Sequence, residues 1–353
     1  MPLNKIVGNS VLVVGDLHIS DKYTGKHKDY LSNCFKVLND ITAKLELEKP
    51  CALFLLGDIV GLRETNIGSR EVLSNFCKVL KYWNSICPVY SVRGNHDMAG
   101  YPDFKLLEDL DLIITSEKCG GYVDYYAKED VDCPELRFHL VDYGSEHRDL
   151  NIWALSAEEL ALAEEQGVKP KTASNIVLGH ANYTIEGVTT WYRADGGIEL
   201  NTLSNFKDVD FVISGHIHSP SNTINCVNMF GGKPSMLFYP GCPTRPSVKD
   251  NTQDSCYFVV LKYSPELDAT NVNIDEWKLA PSSEVFYKDE HFVQEQTSEE
   301  AERKAALTDV LNDMMQYRLS SGDPIKQVEL VPNASKEAKD IAIDYLKMAI
   351  NIV

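Results

Sequence analysis

Val11-Leu12-Val13-Val14-Gly15-Asp16-Leu17-His18 is the stretch that decides the architecture. A short β-branched apolar run stops at a glycine, and two ligand-type side chains follow within three residues. The arrangement recurs four times. Cys51–Leu56 ends in Gly57-Asp58, and Pro88–Val92 ends in Arg93-Gly94-Asn95-His96-Asp97. Asn175–Leu178 ends in Gly179-His180, and Asp210–Ser214 ends in Gly215-His216-Ile217-His218. Helical spacing fills the gaps between the first three runs. Tyr30, Leu31, Cys34, Phe35, Leu38, Ile41 and Leu45 mark a helix within 27–48; Val72, Leu73, Phe76, Val79, Leu80 and Trp83 mark another within 69–86. Strand, helix, strand, helix, strand predicts a mostly parallel sheet with right-handed crossovers.

Further along, 182–206 has little periodicity and contains Trp191, Tyr192, Arg193 and Gly196-Gly197, so it reads as a long loop at the active face. Alternating segments at 222–230, 234–240, 255–263 and 271–279 read as antiparallel strands. Composition shifts near residue 284, which divides the chain into 1–283 and 284–353. The second part carries two amphipathic helices, 297–318 and 335–351.

The chain has 353 residues, 44% hydrophobic and 24% charged, which suits a globular protein and excludes a disordered or collagenous one. Acidic residues outnumber basic ones 52 to 34, for a net charge of -18. Such a chain has no overall electrostatic hold on DNA, because that needs clustered Lys and Arg. A nucleic-acid function must rest on a local patch, bound cations or a partner. No signal peptide and no spanning apolar segment is expected, so a soluble cytoplasmic protein without a membrane partner is the expectation. The nine cysteines include no Cys-x-x-Cys pair and read as reduced thiols.

In an open α/β sheet, ligands gather at the carboxyl ends of the strands. Asp16, His18, Asp58, Asn95, His96, Asp97, His180, His216 and His218 should therefore converge on one edge. A lone Gly-Asp turn is commonly a cap, and a lone buried histidine is commonly a packing residue. Five such ends in one chain, using five of its nine histidines, point instead to a shared site. Mixed imidazole and carboxylate donors suit Mn, Fe or Zn better than Mg or Ca. Two such ions can polarise a phosphate and activate water for in-line attack. Asp58 is the natural bridging carboxylate. No cysteine is among these ligands, so a zinc–thiolate site is not expected.

As an ordered set, Gly15-Asp16-Leu17-His18, Gly57-Asp58, Gly94-Asn95-His96-Asp97, Gly179-His180 and Gly215-His216-Ile217-His218 resemble the calcineurin-like metallophosphoesterase superfamily. The resemblance implies a four-layered α/β fold, two mixed β-sheets flanked by helices, with a small cap and C-terminal helices. It implies two divalent metal ions, with manganese expected first and Fe, Zn or Mg as alternatives. Asp16, His18, Asp58 and His218 would hold one ion; Asp58, Asn95, His180 and His216 would hold the other. His96 would be the acid that protonates the leaving oxygen, with Asp97 orienting its ring.

Within that superfamily, Asn205-Phe206-Lys207-Asp208-Val209-Asp210-Phe211 and Tyr239-Pro240-Gly241-Cys242-Pro243-Thr244-Arg245 are similar to the Mre11/SbcD-type DNA-repair nucleases, whose turn reads Tyr-Pro-Gly-Ser. This implies DNA as substrate, a Rad50/SbcC-type ATPase docked on the C-terminal helices, and a homodimer formed through the helices near 30–45 and 70–85. Asp58-Ile59-Val60-Gly61-Leu62-Arg63 lacks the histidine that this branch often carries there, which leaves the balance of exo- and endonuclease activity open. The same stretch argues against protein Ser/Thr phosphatases, whose motif has an Asp and an Arg at the positions of Gly61 and Leu62. The short chain fits a compact bacterial or bacteriophage version. Arg63, Arg70, Arg93, Arg193 and Arg245 are candidate phosphate contacts, and Trp191 and Tyr192 could stack a base. A small-molecule phosphodiesterase and a non-catalytic scaffold are the competing readings.

Overall fold

The computed structural model describes residues 2–21, 29–60, 70–99, 101–129, 133–154, 156–166, 173–184, 197–221, 225–228, 234–246, 255–264 and 269–279, with Lys336 and Lys339. The chain divides into two compact units, Met1–Phe286 and Tyr287–Val353. The two C-terminal helices expected at 297–318 and 335–351 lie outside the described residues except at Lys336 and Lys339, which are helical.

The first unit begins with β1 (Lys5–Val7), β2 (Val11–Val14), α1 (Tyr30–Glu48), β3 (Ala52–Leu55), α2 (Arg70–Ile86), β4 (Val89–Ser91), α3 (Asn95–Ala99), α4 (Tyr101–Asp109) and β5 (Ile114–Thr115). Then follow α5 (Ser116–Cys119), β6 (Tyr122–Tyr126), β7 (Leu136–Val141), α6 (Ala157–Glu165), β8 (Ser174–His180), β9 (Tyr183–Thr184) and β10 (Ile198–Glu199). It closes with β11 (Phe211–Gly215), β12 (Asn225–Asn228), β13 (Pro234–Phe238), β14 (Ser255–Ser264) and β15 (Ala269–Lys278).

Two mixed sheets result. One has the order β15-β14-β2-β3-β4-β5 and the other β1-β6-β7-β8-β11-β13-β12. Strands β2 to β5 run parallel, as the strand–helix alternation predicts, and β14 joins them antiparallel. Strand β13 differs from expectation. It pairs antiparallel with β12 but parallel with β11. Apolar alternation is the same for either direction of pairing, so the pattern alone does not distinguish them.

The core forms in layers because each central strand is apolar on both faces. Val11, Val13, Phe54 and Tyr90 of one sheet meet Phe138, Ile176, Leu178, Phe211 and Ile213 of the other. The opposite faces of β2 and β3, with Leu12, Val14, Leu53 and Leu55, are covered by α1 and α2. Helix α1 buries Tyr30, Cys34, Val37, Leu38, Ile41 and Leu45, a stripe at three- and four-residue spacing, and α2 buries Val72, Phe76, Leu80 and Trp83. Trp83 Nε1 donates to Thr42 Oγ1 at 2.8 Å, which ties the two helices together. The outer face of the second sheet is covered by Leu200, Leu203, Phe206 and Val209. The end of the segment expected to be an active-face loop is thus a buried cover, two 3-10 turns packed on β8 and β11.

His139 is a packing residue on β7, fully buried. Its Nε2 lies 3.0 Å from Asn175 Oδ1. Burial holds its pKa down at about 4, against 6.5 for a free imidazole. The unfolded chain therefore binds a proton there more readily than the folded one. This contribution to stability is fully present above pH 6.5 and is lost as pH falls toward 4, a total of about 3 kcal/mol. Urea unfolding at pH 7 and pH 4.5 should show a smaller acid loss for His139→Gln than for the parent. An equal loss in both would refute the assignment.

Candidate metal centre

Parallel register brings the strand ends level. Val14 pairs with Leu55 and Leu55 with Ser91 in one sheet, while Gly215 pairs with His180 in the other. The residues that follow each strand therefore emerge along one edge, where the two sheets meet. Tight turns are needed there. Gly57 takes φ +83°, and a Cβ on it would come within 2.7 Å of His180 Nδ1 and Gly94 N. Gly94 is packed so closely on Asp58 that any side chain there would overlap it. His18, Asp58 and His216 themselves adopt left-handed backbone, with φ of 46°, 47° and 76°. A non-glycine residue in that region costs about 1–2 kcal/mol, a strain that the surrounding packing must hold in place.

Asp58 lies at the middle of the cluster. Its Oδ2 is 3.3 Å from His180 Nε2, 3.6 Å from His18 Nε2 and 3.9 Å from His96 Nε2, and its Oδ1 accepts from the His96 backbone N–H at 2.8 Å. Burial works to raise its pKa, but the imidazoles of His180, His18 and His96 outweigh that and hold it well below the usual carboxylate range. On one side of Asp58, His18 Nε2 and His218 Nε2 face each other at 3.1 Å. On the other, Asn95 Oδ1 lies 3.1 Å from His180 Nε2 and 3.0 Å from His216 Nδ1. Asp16 is fully buried beside both groups. One of its oxygens accepts from the His216 backbone N–H at 2.9 Å, and the other lies 3.5 Å from His180 Nδ1.

These residues fit a pair of divalent cations. His180 Nδ1 donates to the Leu56 carbonyl at 2.6 Å, which fixes the tautomer and turns the Nε2 lone pair toward Asn95 Oδ1 and Asp58 Oδ2. Three acceptors then point at one another, and only a proton or a metal ion can reconcile them. Without a metal the proton is favoured. Burial opposes it, but the Asp58 and Asp16 carboxylates prevail and raise His180 to about 10. Asp16 Oδ1 is buried without a hydrogen-bond donor among the described residues, and burial pushes its carboxyl up to about 7. A cation is the partner such a carboxylate needs.

The arrangement brings together all seven residues expected as ligands: Asp16, His18, Asp58, Asn95, His180, His216 and His218. His96 stands at the rim, 17% exposed, with its ring 4.9 Å from that of His18. Asp97 has a different part from the one expected. Its Oδ1 accepts from the Ile59 and Val60 backbone N–H groups at 3.0 and 3.2 Å, and its Oδ2 accepts from Gly94 at 2.9 Å. Adjacent residues on a helix point about 100° apart. Asp97 therefore turns inward and braces the Asp58 and Asn95 turns, rather than orienting the His96 ring. Burial, followed by the nearby Asp58, raises its pKa to about 8.

The substrate contacts fare differently. Arg93 is engaged by Glu108 and Glu117, each at 3.4 Å, and its guanidinium lies over Phe104. Arg245 is 2% exposed, so it is a core residue and not a surface phosphate contact. Arg70 is exposed at the start of α2. Arg63, Trp191, Tyr192 and Arg193 lie outside the described residues. Two residues absent from the sequence-based set stand at the centre. Tyr143, partly exposed, puts its ring 5.6 Å from His216 and 6.2 Å from His180. It follows β7, the neighbour of β8 in the same parallel register, and that placement was the available signal. Cys242 forms a potential metal-holding group with His18 and His218, all three ligand atoms lying within 4.8 Å of one another, as do those of His18, Asp58 and His96.

Residues 10–220 match the family described as calcineurin-like phosphoesterase. The SbcD component of the nuclease SbcCD of Staphylococcus epidermidis is 23% identical over 236 residues, which cover 63% of this chain and 61% of that protein. The chain thus matches less than two thirds of that relative's length. Among solved structures, a dimetal phosphatase from Danio rerio aligns with 79% of this chain and 99% of its own, at 13% identity and a TM-score of 0.45. A nuclease MPE from Pseudomonas putida aligns with 51% of this chain and 66% of its own, at 17% identity and a TM-score of 0.25.

Proposed function

This chain belongs to the calcineurin-like phosphoesterase family, and on that premise we propose that it is the nuclease component of a DNA-processing complex, hydrolysing phosphodiester bonds at a binuclear metal centre. It works inside the cell as a homodimer with a Rad50/SbcC-type ATPase. The observation that carries the hydrolytic reading is the meeting of His18, Asp58, Asn95, His180 and His216 within 3.0–3.6 Å contacts. The choice of DNA is supported by the likeness to the SbcD component of a nuclease SbcCD and by the Tyr239-Pro240-Gly241 turn.

Asp16, His18, Asp58 and His218 would hold one ion, and Asp58, Asn95, His180 and His216 the other. When bound, the pair supplies Lewis-acid polarisation of the phosphate and activation of water. The chain's own residues do the rest. Asp97 holds the Asp58 and Asn95 turns in register through three backbone N–H groups. The Leu56 carbonyl keeps His180 in one tautomer. His96, at the rim and beside the Asp58 carboxylate, is placed to give a proton to the leaving oxygen. Tyr143 walls the site on the His216 side.

The net charge of -18 and the internal pairing of Arg93 mean that the ATPase partner supplies most of the DNA affinity. The test is cleavage of linear and hairpin DNA with Mn²⁺, alone and with the ATPase. Cleavage that a chelator abolishes is expected. The acidic surface favours one rival, a small-molecule phosphodiesterase, and turnover of bis-p-nitrophenyl phosphate or cyclic nucleotides with none on DNA would select it. Failure to take up metal on reconstitution would leave only a non-catalytic scaffold.

A further inference from the structure

Cys242 stands where the related turn has serine, and its surroundings are built to hold it in place. Its backbone N–H donates to the His218 carbonyl at 2.9 Å. Its side chain is fully buried, forms no disulfide, and lies 3.5 Å from Thr244 Oγ1. Helix α1 fixes the turn from the other side. Asn33 Nδ2 donates to the Thr244 carbonyl at 3.1 Å, and the Tyr30 hydroxyl donates to the His18 carbonyl at 2.6 Å. One helix therefore positions both His18 and the Cys242 turn. Gly15 lets the turn approach, because a side chain there would overlap the Gly241 carbonyl. A second observation points to a ligand: Asp16, expected on the same ion, is 1% exposed and its Oδ1 has no hydrogen-bond donor among the described residues, while Cys242, His18 and His218 offer ligand atoms within 4.8 Å of one another.

We propose that Cys242 Sγ is a further ligand of the metal ion held by His18 and His218, so that this half of the centre is a mixed thiolate–imidazole–carboxylate site. The proposal rests on the binuclear reading given above. On binding, the thiol proton passes to solvent as the sulfur–metal bond forms. The donor set has a consequence for metal choice. Thiolate with imidazole favours Zn²⁺, Fe²⁺ or Co²⁺ over Mn²⁺ and Mg²⁺, which prefer oxygen shells. The two halves are then unlike. The half with Asn95, His180 and His216 keeps nitrogen and oxygen donors alone, while the Cys242 half selects a thiophilic ion.

Cobalt substitution of the full chain tests this. Visible ligand-field bands report that Co²⁺ is bound, and a near-ultraviolet thiolate-to-cobalt charge-transfer band reports sulfur ligation. Both are expected in the parent. Cys242→Ser should lose the charge-transfer band, keep the ligand-field bands, and bind Zn²⁺ at least about tenfold more weakly with little change for Mn²⁺. Cys77→Ser, on α2, should keep both bands. Zinc X-ray absorption on the unmutated protein needs no variant to fold, and should show a sulfur shell at about 2.3 Å. Bound cobalt without the charge-transfer band, or zinc without the sulfur shell, would overturn Cys242 ligation and leave the binuclear reading standing. A parent chain that takes up no cobalt would overturn both.

Discussion

Replacing His96 by alanine is expected to slow DNA cleavage by roughly 10²–10⁴-fold while both metal ions stay bound. The reason is its place at the rim. His96 Nε2 is 3.9 Å from Asp58 Oδ2, farther than His180 or His18, and its side chain keeps 17% exposure. A proton donor needs that access to the leaving oxygen. The substrate sets the size of the effect. A deoxyribose oxygen leaves poorly without a proton, whereas nitrophenolate leaves well without one. The loss should thus be large on DNA and small on bis-p-nitrophenyl phosphate. An equal loss on both, or a fall in bound metal, would show that His96 acts as a ligand, in the group it forms with His18 and Asp58.

Gly94→Ala is expected to remove the centre altogether. The new Cβ would overlap Asp58 at its backbone nitrogen and its carboxylate, with the carboxyl carbon 2.7 Å away. Backbone on one side cannot yield by changing rotamer, and Asp58 already occupies a left-handed conformation at φ 47°. The bridging carboxylate must therefore leave its position. We expect bound metal to fall from two ions per chain to fewer than one, cleavage to fall to background, and stability to drop by about 1–3 kcal/mol. Gly120→Ala is the matched control. Gly120 has φ +76°, so its alanine variant should also cost stability, but nothing lies within 4 Å of the new Cβ. Its metal content should be unchanged. Retention of two ions by the Gly94 variant would refute the bridging role of Asp58.

The gathering of the seven candidate ligands was legible because each lies at or just beyond the end of a parallel strand, and parallel strands deliver their carboxyl ends to one edge. The apolar run before Gly15 or Gly179 is enough to place Asp16 and His180. Side-chain direction was not legible. Asp97 sits beside His96 in sequence, yet the first turn of α3 sends it toward Ile59, Val60 and Gly94. Arg93 follows a strand end like the ligands do, but acids 15 and 24 residues farther on claim it. Cys242 read as one reduced thiol among nine, because the sequence shows neither the His218 carbonyl that receives its N–H nor the α1 side chains that hold its turn. Strand β6, Tyr-Val-Asp-Tyr-Tyr, gave little signal: its acidic Asp124 is neutralised by Arg137 of β7, at 2.7 Å, a pairing visible only in three dimensions.

The level strand ends make the centre a clasp between two sheets. Asp16, Asp58 and Asn95 hang from β2, β3 and β4, while His180 and His216 hang from β8 and β11 of the other sheet. Neither sheet alone carries the whole set of candidate ligands. Any ion seated there spans the sandwich, so its binding energy resists prying the layers apart, worth about 4 kcal/mol when the free ion is a thousandfold above its dissociation constant. Assembly of the centre and mechanical closure of the sandwich are then the same event, and a chain that has not yet docked its two sheets carries no assembled centre.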